Sequence, residues 1–201
     1  MPRIVQGLAA PLPIHNVDTD VIMPKRFLVT ITRSGLADGV FADLRFYESG
    51  EPRQDFVLNR TPEQQVSILI VGDNFGCGSS REHAVWGLKQ YGINGIIGTS
   101  FAGIFYDNAR KNGLALPKVT PDLRDELMRL SQSSDGLNLS INLETRELHY
   151  AEQTASFIMD DASRTSLLED RDDTLDSLQH REAILQYESR LTEKMRVNVA
   201  K

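Results

Sequence analysis

Residues 66–98 read VSILIVGDNFGCGSSREHAVWGLKQYGINGIIG, and this stretch decides the class of fold. The run VSILIVG is short, almost continuously apolar and bounded by polar residues, the pattern of a strand buried on both faces. In SREHAVWGLKQYG, Ala84, Leu88 and Tyr91 fall at i, i+4 and i+7 and Gly92 stands where a helix C-terminus favours glycine, so a helix is predicted there. INGIIG then reads as the next strand. Between the first strand and the helix lies DNFGCGSSREH, residues 73–83. Gly76 and Gly78 let the backbone turn tightly and approach a ligand. Ser79, Ser80 and the first helical amides offer donors to the same spot, and Arg81 adds a planar cation. Such a turn at the carboxyl end of a strand suits a carboxylate or a phosphate. The same residues also suit a plain glycine turn with a serine N-cap and a surface arginine.

Working outward, SFAGIFYDNARKNG predicts a second helix, with Phe101, Ile104, Phe105 and Asn108 on one face, Ser100 as N-cap and Gly113 as terminator. LALPKV is expected to return as a strand, and Thr120 and Pro121 to open a helix over residues 122–131 with Leu123, Leu127 and Leu130 in register. This alternation builds a parallel sheet with right-handed crossovers. After Gly136 the period becomes two: Leu137, Leu139, Ile141 and Leu143 alternate with polar residues and ELHY answers across ETRE, a hairpin pattern. The expected class is therefore α/β with mixed parallel and antiparallel strands. The first sixty residues are rich in turn formers, with short strands expected near residues 4–8 and 21–23 and no sustained helical period before Ser34. From about residue 160 the chain is charged, with EDRDDTLD, before REAILQYESRLTEKMR resumes helical spacing through Ile184, Tyr187, Leu191 and Met195. A single domain over residues 1–201 with a charged helical tail is the expected organisation.

Composition narrows the function. With 201 residues, 40% hydrophobic and 25% charged, the chain can bury a core without disulfides or a structural metal. A net charge of −6 disfavours broad contact with nucleic acid or an anionic membrane, and the N-terminal stretch, broken by Gln6, Pro11 and Pro13, fits neither a signal peptide nor a spanning helix. A soluble cytoplasmic protein is expected. One cysteine and four histidines cannot supply a compact set of metal or cluster ligands, so the expectation is no cofactor held by this chain.

GCGSSR begins like a dinucleotide fingerprint but has Arg81 in place of the third glycine, and no Gly-Lys-Ser/Thr follows. Cys77 near a helix start with His83 nearby leaves thiol chemistry open beside a filler role. Asn16, Asp18 and Asp20 alternate like calcium-loop ligands, but Val21 and Phe27 stand where that loop requires Gly and Glu. Lys25, Arg26 and Arg33 beside Phe27, Leu28 and Val29 could pair anion binding with an apolar recognition surface, or be solvated charge.

Taken together, NVDTDVIMPKRFL, DFVLN, NFGCGSSREHAVWGL, YGINGIIGTSFAGIFYDNARKNGLALP and LQHREAILQYE resemble, in order, the small-subunit family of bacterial 3-isopropylmalate dehydratase, relatives of the swivelling C-terminal domain of aconitase. The resemblance spans about residues 7–188, and GSSREH after a buried strand is its most specific element. It implies a swivelling-domain fold, three-layer or barrel-like, and a large partner subunit carrying a [4Fe–4S] cluster. It also implies a small dicarboxylate substrate, with isomerisation of 2-isopropylmalate to 3-isopropylmalate by dehydration and rehydration in leucine biosynthesis. By position in the motifs it implies Ser79 as the catalytic base, Arg81 and Ser80 as substrate ligands, and Thr19 and Asp20 near the substrate. Lys25 and Arg26 are further candidates for binding it. LLEDRDDTLDSL, residues 167–178, is more charged than the family's usual stretch. That difference leaves room for a paralogue acting on citraconate or another substituted malate, or for a non-catalytic carboxylate or phosphate-binding module.

Overall fold

The computed structural model describes residues 3–28, 35–60, 65–133, 136–169, 177–178 and 180–190. The chain divides into two compact units, Met1–Asp170 and Arg171–Lys201.

The first unit is built on a six-stranded mixed sheet. Its strands are β1 (Ile4–Leu12), β2 (Val66–Val71), β3 (Gly95–Ile97), β4 (Leu137–Asn142), β5 (Glu147–Tyr150) and β6 (Gln153–Ser156), in the spatial order β3-β2-β1-β4-β5-β6. β1, β2 and β3 run parallel, and β4, β5 and β6 continue the sheet antiparallel from the other side of β1. The expected mixture of strand directions is therefore present, and the structure chooses three layers. Ile68 and Ile70 of β2 enter one apolar cluster with Leu127, Leu139, Ile141 and Leu148, while Leu69 and Val71 enter the other with Val85, Leu88 and Phe105. Successive side chains of a strand point to opposite faces, so a strand covered on both must be apolar throughout. Each such Ile or Leu contributes about 1.5–3 kcal/mol through burial.

The helix after the glycine turn is α3 (Glu82–Tyr91), which follows two four-residue helices, α1 (Thr19–Ile22) and α2 (Ala42–Arg45). Gly92 closes α3 at φ 109°, its N–H donating to the carbonyls of Leu88 and Lys89. α4 (Gly103–Lys111) and α5 (Pro121–Ser131) follow, the latter opened by Thr120, whose hydroxyl accepts from the Leu123 N–H, and by proline at its first turn. α6 (Asp161–Glu169) ends the first unit, with Ser163, Ser166 and Leu167 buried. In the second unit α7 (Arg181–Arg190) buries none of its residues. Leu191, Met195, Arg33 and most of the EDRDDTLD run lie outside the described residues.

Four local expectations are corrected. Residues 21–23 are not a strand, because the Asp18 carboxylate accepts the Val21 N–H at 2.8 Å and caps α1, turning the apolar pair Ile22 and Met23 into the core from a helix. Ser100 does not cap α4; its hydroxyl accepts from the Asn74 N–H at 2.9 Å, and Ala102 occupies the N-cap. Within α4 the buried residues are Phe105 and Ala109, while Ile104 is 54% exposed and points away from the core. LALPKV makes isolated parallel bridges, Gly95 to Ala115 and Gly98 to Lys118, instead of a continuous strand, since Pro117 has no N–H for a ladder.

Candidate active site

The turn after β2 is assembled from two neighbouring loops. Gly72 passes so close to the Ile14 carbonyl that a Cβ there would lie 2.4 Å from its oxygen. Asn74 and Asn16 both take left-handed backbone (φ 56° and 55°), and the Asn74 amide donates to Asn16 Oδ1 at 2.9 Å. The next amides are all claimed: Asn74 and Phe75 donate to the Ser100 hydroxyl and carbonyl, and Gly76 and Cys77 both donate to the Val17 carbonyl, at 2.7 and 3.2 Å. On the carbonyl side, the Thr19 N–H donates to Cys77 O at 2.9 Å and the Thr19 hydroxyl to Ser79 O at 3.0 Å. Gly76 (φ 78°) and Gly78 (φ 90°) make this path possible, the first against the Phe105 ring and the second against Asp18.

Beyond Cys77 the pattern changes. Among the described residues no acceptor takes the amides of Gly78, Ser79 or Ser80, and α3 begins at its N-cap Arg81 without a side-chain cap. Ser79 and Ser80 are exposed. Unclaimed N–H groups at the positive end of a helix, beside two hydroxyls, form a site for an anion.

Arg81 is mostly buried, with a side chain 14% exposed, and forms an ion pair with Asp20. The hydrogen bond from Arg81 holds the Asp20 carboxyl below the usual carboxylate range, and the positive charges of Arg81 and nearby Lys25 add to it. Lys25 itself is exposed. The structure thus gathers Ser79, Ser80, Arg81, Thr19 and Asp20 at one place with Lys25 alongside, Thr19 being buried and turned onto the Ser79 carbonyl. Arg26 is directed elsewhere, pairing with Asp43, stacking 4.9 Å over the Phe27 ring and lining an open cavity of about 750 Å3 with Asp38, Phe46, Tyr47 and Arg53. Cys77 donates its S–H to the Asn16 carbonyl at 3.3 Å and the His83 ring packs 4.8 Å from that of Trp86, so no Cys–His pair is formed.

One cluster at this edge of the sheet has no signature in the sequence. Asp73 Oδ1 accepts from the Thr99 hydroxyl and from Arg124 Nη1 at 2.7 Å, and its Oδ2 lies 3.2 Å from His15 Nδ1. The Thr99 hydrogen bond is the main reason this carboxyl titrates below its ordinary range, aided by the charge of Arg124. These partners lie 26, 51 and 58 residues from Asp73 in the chain, beyond the reach of any local pattern.

Residues 3–120 match the Aconitase C-terminal domain family. A 3-isopropylmalate dehydratase small subunit from Brucella canis is 51% identical over 168 residues, covering 83% of this chain and 84% of that protein. A 3-isopropylmalate dehydratase small subunit 2 from Salmonella typhimurium is 45% identical over 184 residues, covering 92% and 88%. The chain belongs to the 3-isopropylmalate dehydratase small-subunit family of the aconitase superfamily. The crystal structure of a 3-isopropylmalate dehydratase from Methanocaldococcus jannaschii superposes with a TM-score of 0.66 at 28% identity, over 92% of this chain and 98% of that one. The family match takes in the whole glycine turn. Among the described residues no helix is long and apolar enough to cross a membrane.

Proposed function

We propose that this chain is the small subunit of a cytoplasmic two-subunit hydro-lyase that isomerises 2-isopropylmalate to 3-isopropylmalate in leucine biosynthesis, with residues 78–81 closing on the substrate. The observation that carries this reading is the turn itself, with unclaimed amides on Gly78, Ser79 and Ser80 beside the Arg81–Asp20 pair. Moving a hydroxyl between adjacent carbons needs a base for the carbon-bound proton, cations for the carboxylates and a Lewis acid for the leaving hydroxyl. A [4Fe–4S] cluster on the large subunit would supply that Lewis acid. The single thiol of this chain, Cys77, is turned onto the Asn16 carbonyl and falls short of the thiolates a cluster requires, which favours a cluster held by the partner.

Ser79 is the base in this reading. Its oxygen, as an alkoxide, takes the proton from the substrate carbon and returns it to the neighbouring position on rehydration. A serine hydroxyl is far too weakly acidic to act so unaided, and the amides of the turn with the Arg81 cation are the donors that would stabilise the negative oxygen. Asp20 engages one guanidinium nitrogen of Arg81 and so fixes the plane of the remaining donors toward a substrate carboxylate. Lys25 contributes positive field at the same mouth. Thr19 holds the Ser79 carbonyl and thereby the direction of the Ser79 side chain. Arg26 would reach the substrate only by leaving Asp43.

The test is anaerobic coexpression with a large cluster-bearing subunit, followed by turnover of 2-isopropylmalate and, as controls, citraconate, citrate and homocitrate. Ser79→Ala should lower turnover by roughly 10²–10⁴ with a smaller change in KM. Arg81→Lys should chiefly raise KM, since an ammonium cannot make the two-pronged contact of a guanidinium with a carboxylate. Turnover by Ser79→Ala within about threefold of wild type in an intact complex is too small a loss for a base and would sink the assignment.

A further inference from the structure

We propose that Arg124 is a positioning residue for the Ser79 turn, acting through the Asp73 carboxylate. It makes no contact with the serines of the turn. What it touches is the residue on which the turn is hinged. Asp73 follows directly on β2 and Gly72, and the next residue, Asn74, turns the chain in left-handed backbone, a conformation asparagine takes more readily than other residues with a side chain. The hinge therefore joins a largely buried strand to an exposed turn.

Three segments converge to hold it. His15 leaves β1 and accepts the Asp73 N–H at 3.0 Å; Thr99 leaves β3 and donates to Asp73 Oδ1; Arg124, on the first turns of α5, donates to the same oxygen at 2.7 Å. The Arg124 side chain is only 12% exposed and is shared with Asp125 at 2.8 Å, so it is fixed at both ends. The guanidinium is thus held between two carboxylates and shares Asp73 Oδ1 with the Thr99 hydroxyl. Loss of Arg124 leaves the Asp73 side chain with the Thr99 hydroxyl and the His15 ring alone among the described residues.

The proposal rests on the reading of Ser79 as the base, and the experiment separates the two. In the assembled two-subunit enzyme, Arg124→Met should lower kcat about tenfold or more at pH 8 with KM within about threefold, the effect of displacing a catalytic group without removing a binding one. Arg124→Lys should recover most of that loss. In the isolated chain, Arg124→Met should speed amide exchange at residues 74–77, whose amides are hydrogen-bonded, about tenfold or more while leaving β1 and β4 protected. Lowered melting temperature with unchanged kcat and exchange at residues 74–77 would overturn the proposal. If Ser79→Ala proves nearly silent while Arg124→Met still loosens residues 74–77, the base assignment fails and the positioning of the turn stands.

Discussion

Gly76→Ala adds a single methyl at the base of the Ser79 turn and should carry a large penalty for it. Gly76 has φ 78°, where an alanine pays about 1 kcal/mol for its Cβ. The new carbon would also lie 2.2 Å from Phe105 Cγ and 2.6 Å from its Cβ and Cδ1, far inside van der Waals contact. Phe105 cannot swing clear, because it is 2% exposed and packs edge-on against Phe75 with ring centroids 5.4 Å apart. Forcing a methyl into such a site costs about 1–3 kcal/mol, giving a total of about 2–4 kcal/mol. For a unit of this size that is a fall in melting temperature of about 5–15 °C, measurable by thermal and urea unfolding. The origin is checked by a double-mutant cycle: Phe105→Ala alone should cost about 3–5 kcal/mol, and in the Gly76→Ala background less by about 1 kcal/mol or more, since the overlap with Cγ and Cδ1 goes with the ring while that with Cβ remains. Additivity within about 0.5 kcal/mol would refute the clash as the cause. Because the strain enters at the base of the Ser79 turn, turnover of the assembled complex should fall as well.

Two further outcomes follow from single contacts. Thr19→Val keeps the shape of a buried side chain but removes the hydroxyl that donates to Ser79 O; it should cost about 1 kcal/mol by urea unfolding and lower kcat beyond what that stability loss explains, whereas unchanged turnover would separate Thr19 from the turn's geometry. Burial pushes the Tyr106 hydroxyl up to about 12, with the Asp160 carboxylate beside it adding to the rise. A raised folded value means that the fold favours the neutral phenol: its stabilisation is complete below about pH 10 and is lost between about 10 and 12 as the unfolded chain ionises first. Discounted for the residue's partial exposure this amounts to about 1–2 kcal/mol, and an ultraviolet absorbance titration should show a late tyrosine phase that Tyr106→Phe removes.

What could be read from the chain alone is what neighbours in sequence encode. The buried β2, the turn with Gly76 and Gly78, the helix ending at Gly92, the Thr120–Pro121 helix start and the alternation of Leu137, Leu139 and Ile141 all rest on spacing within a few residues, and all stand in the structure. The motif residues 79–81 were legible for the same reason. Tertiary structure decided whatever depends on surfaces meeting: that β1 lies at the centre of the sheet between parallel β2 and antiparallel β4, and that Val21 and Ile22 end a short helix capped by Met23 instead of forming a strand. It also decided that Thr19 reaches Ser79 across 60 residues and Arg81 reaches Asp20 across 61. The Asp73 hinge belongs wholly to this second kind. Its partners come from two strand exits and a helix, and a hydrogen bond closed over such separations leaves no periodic trace in the sequence, because its energy is gained only once the chain has folded.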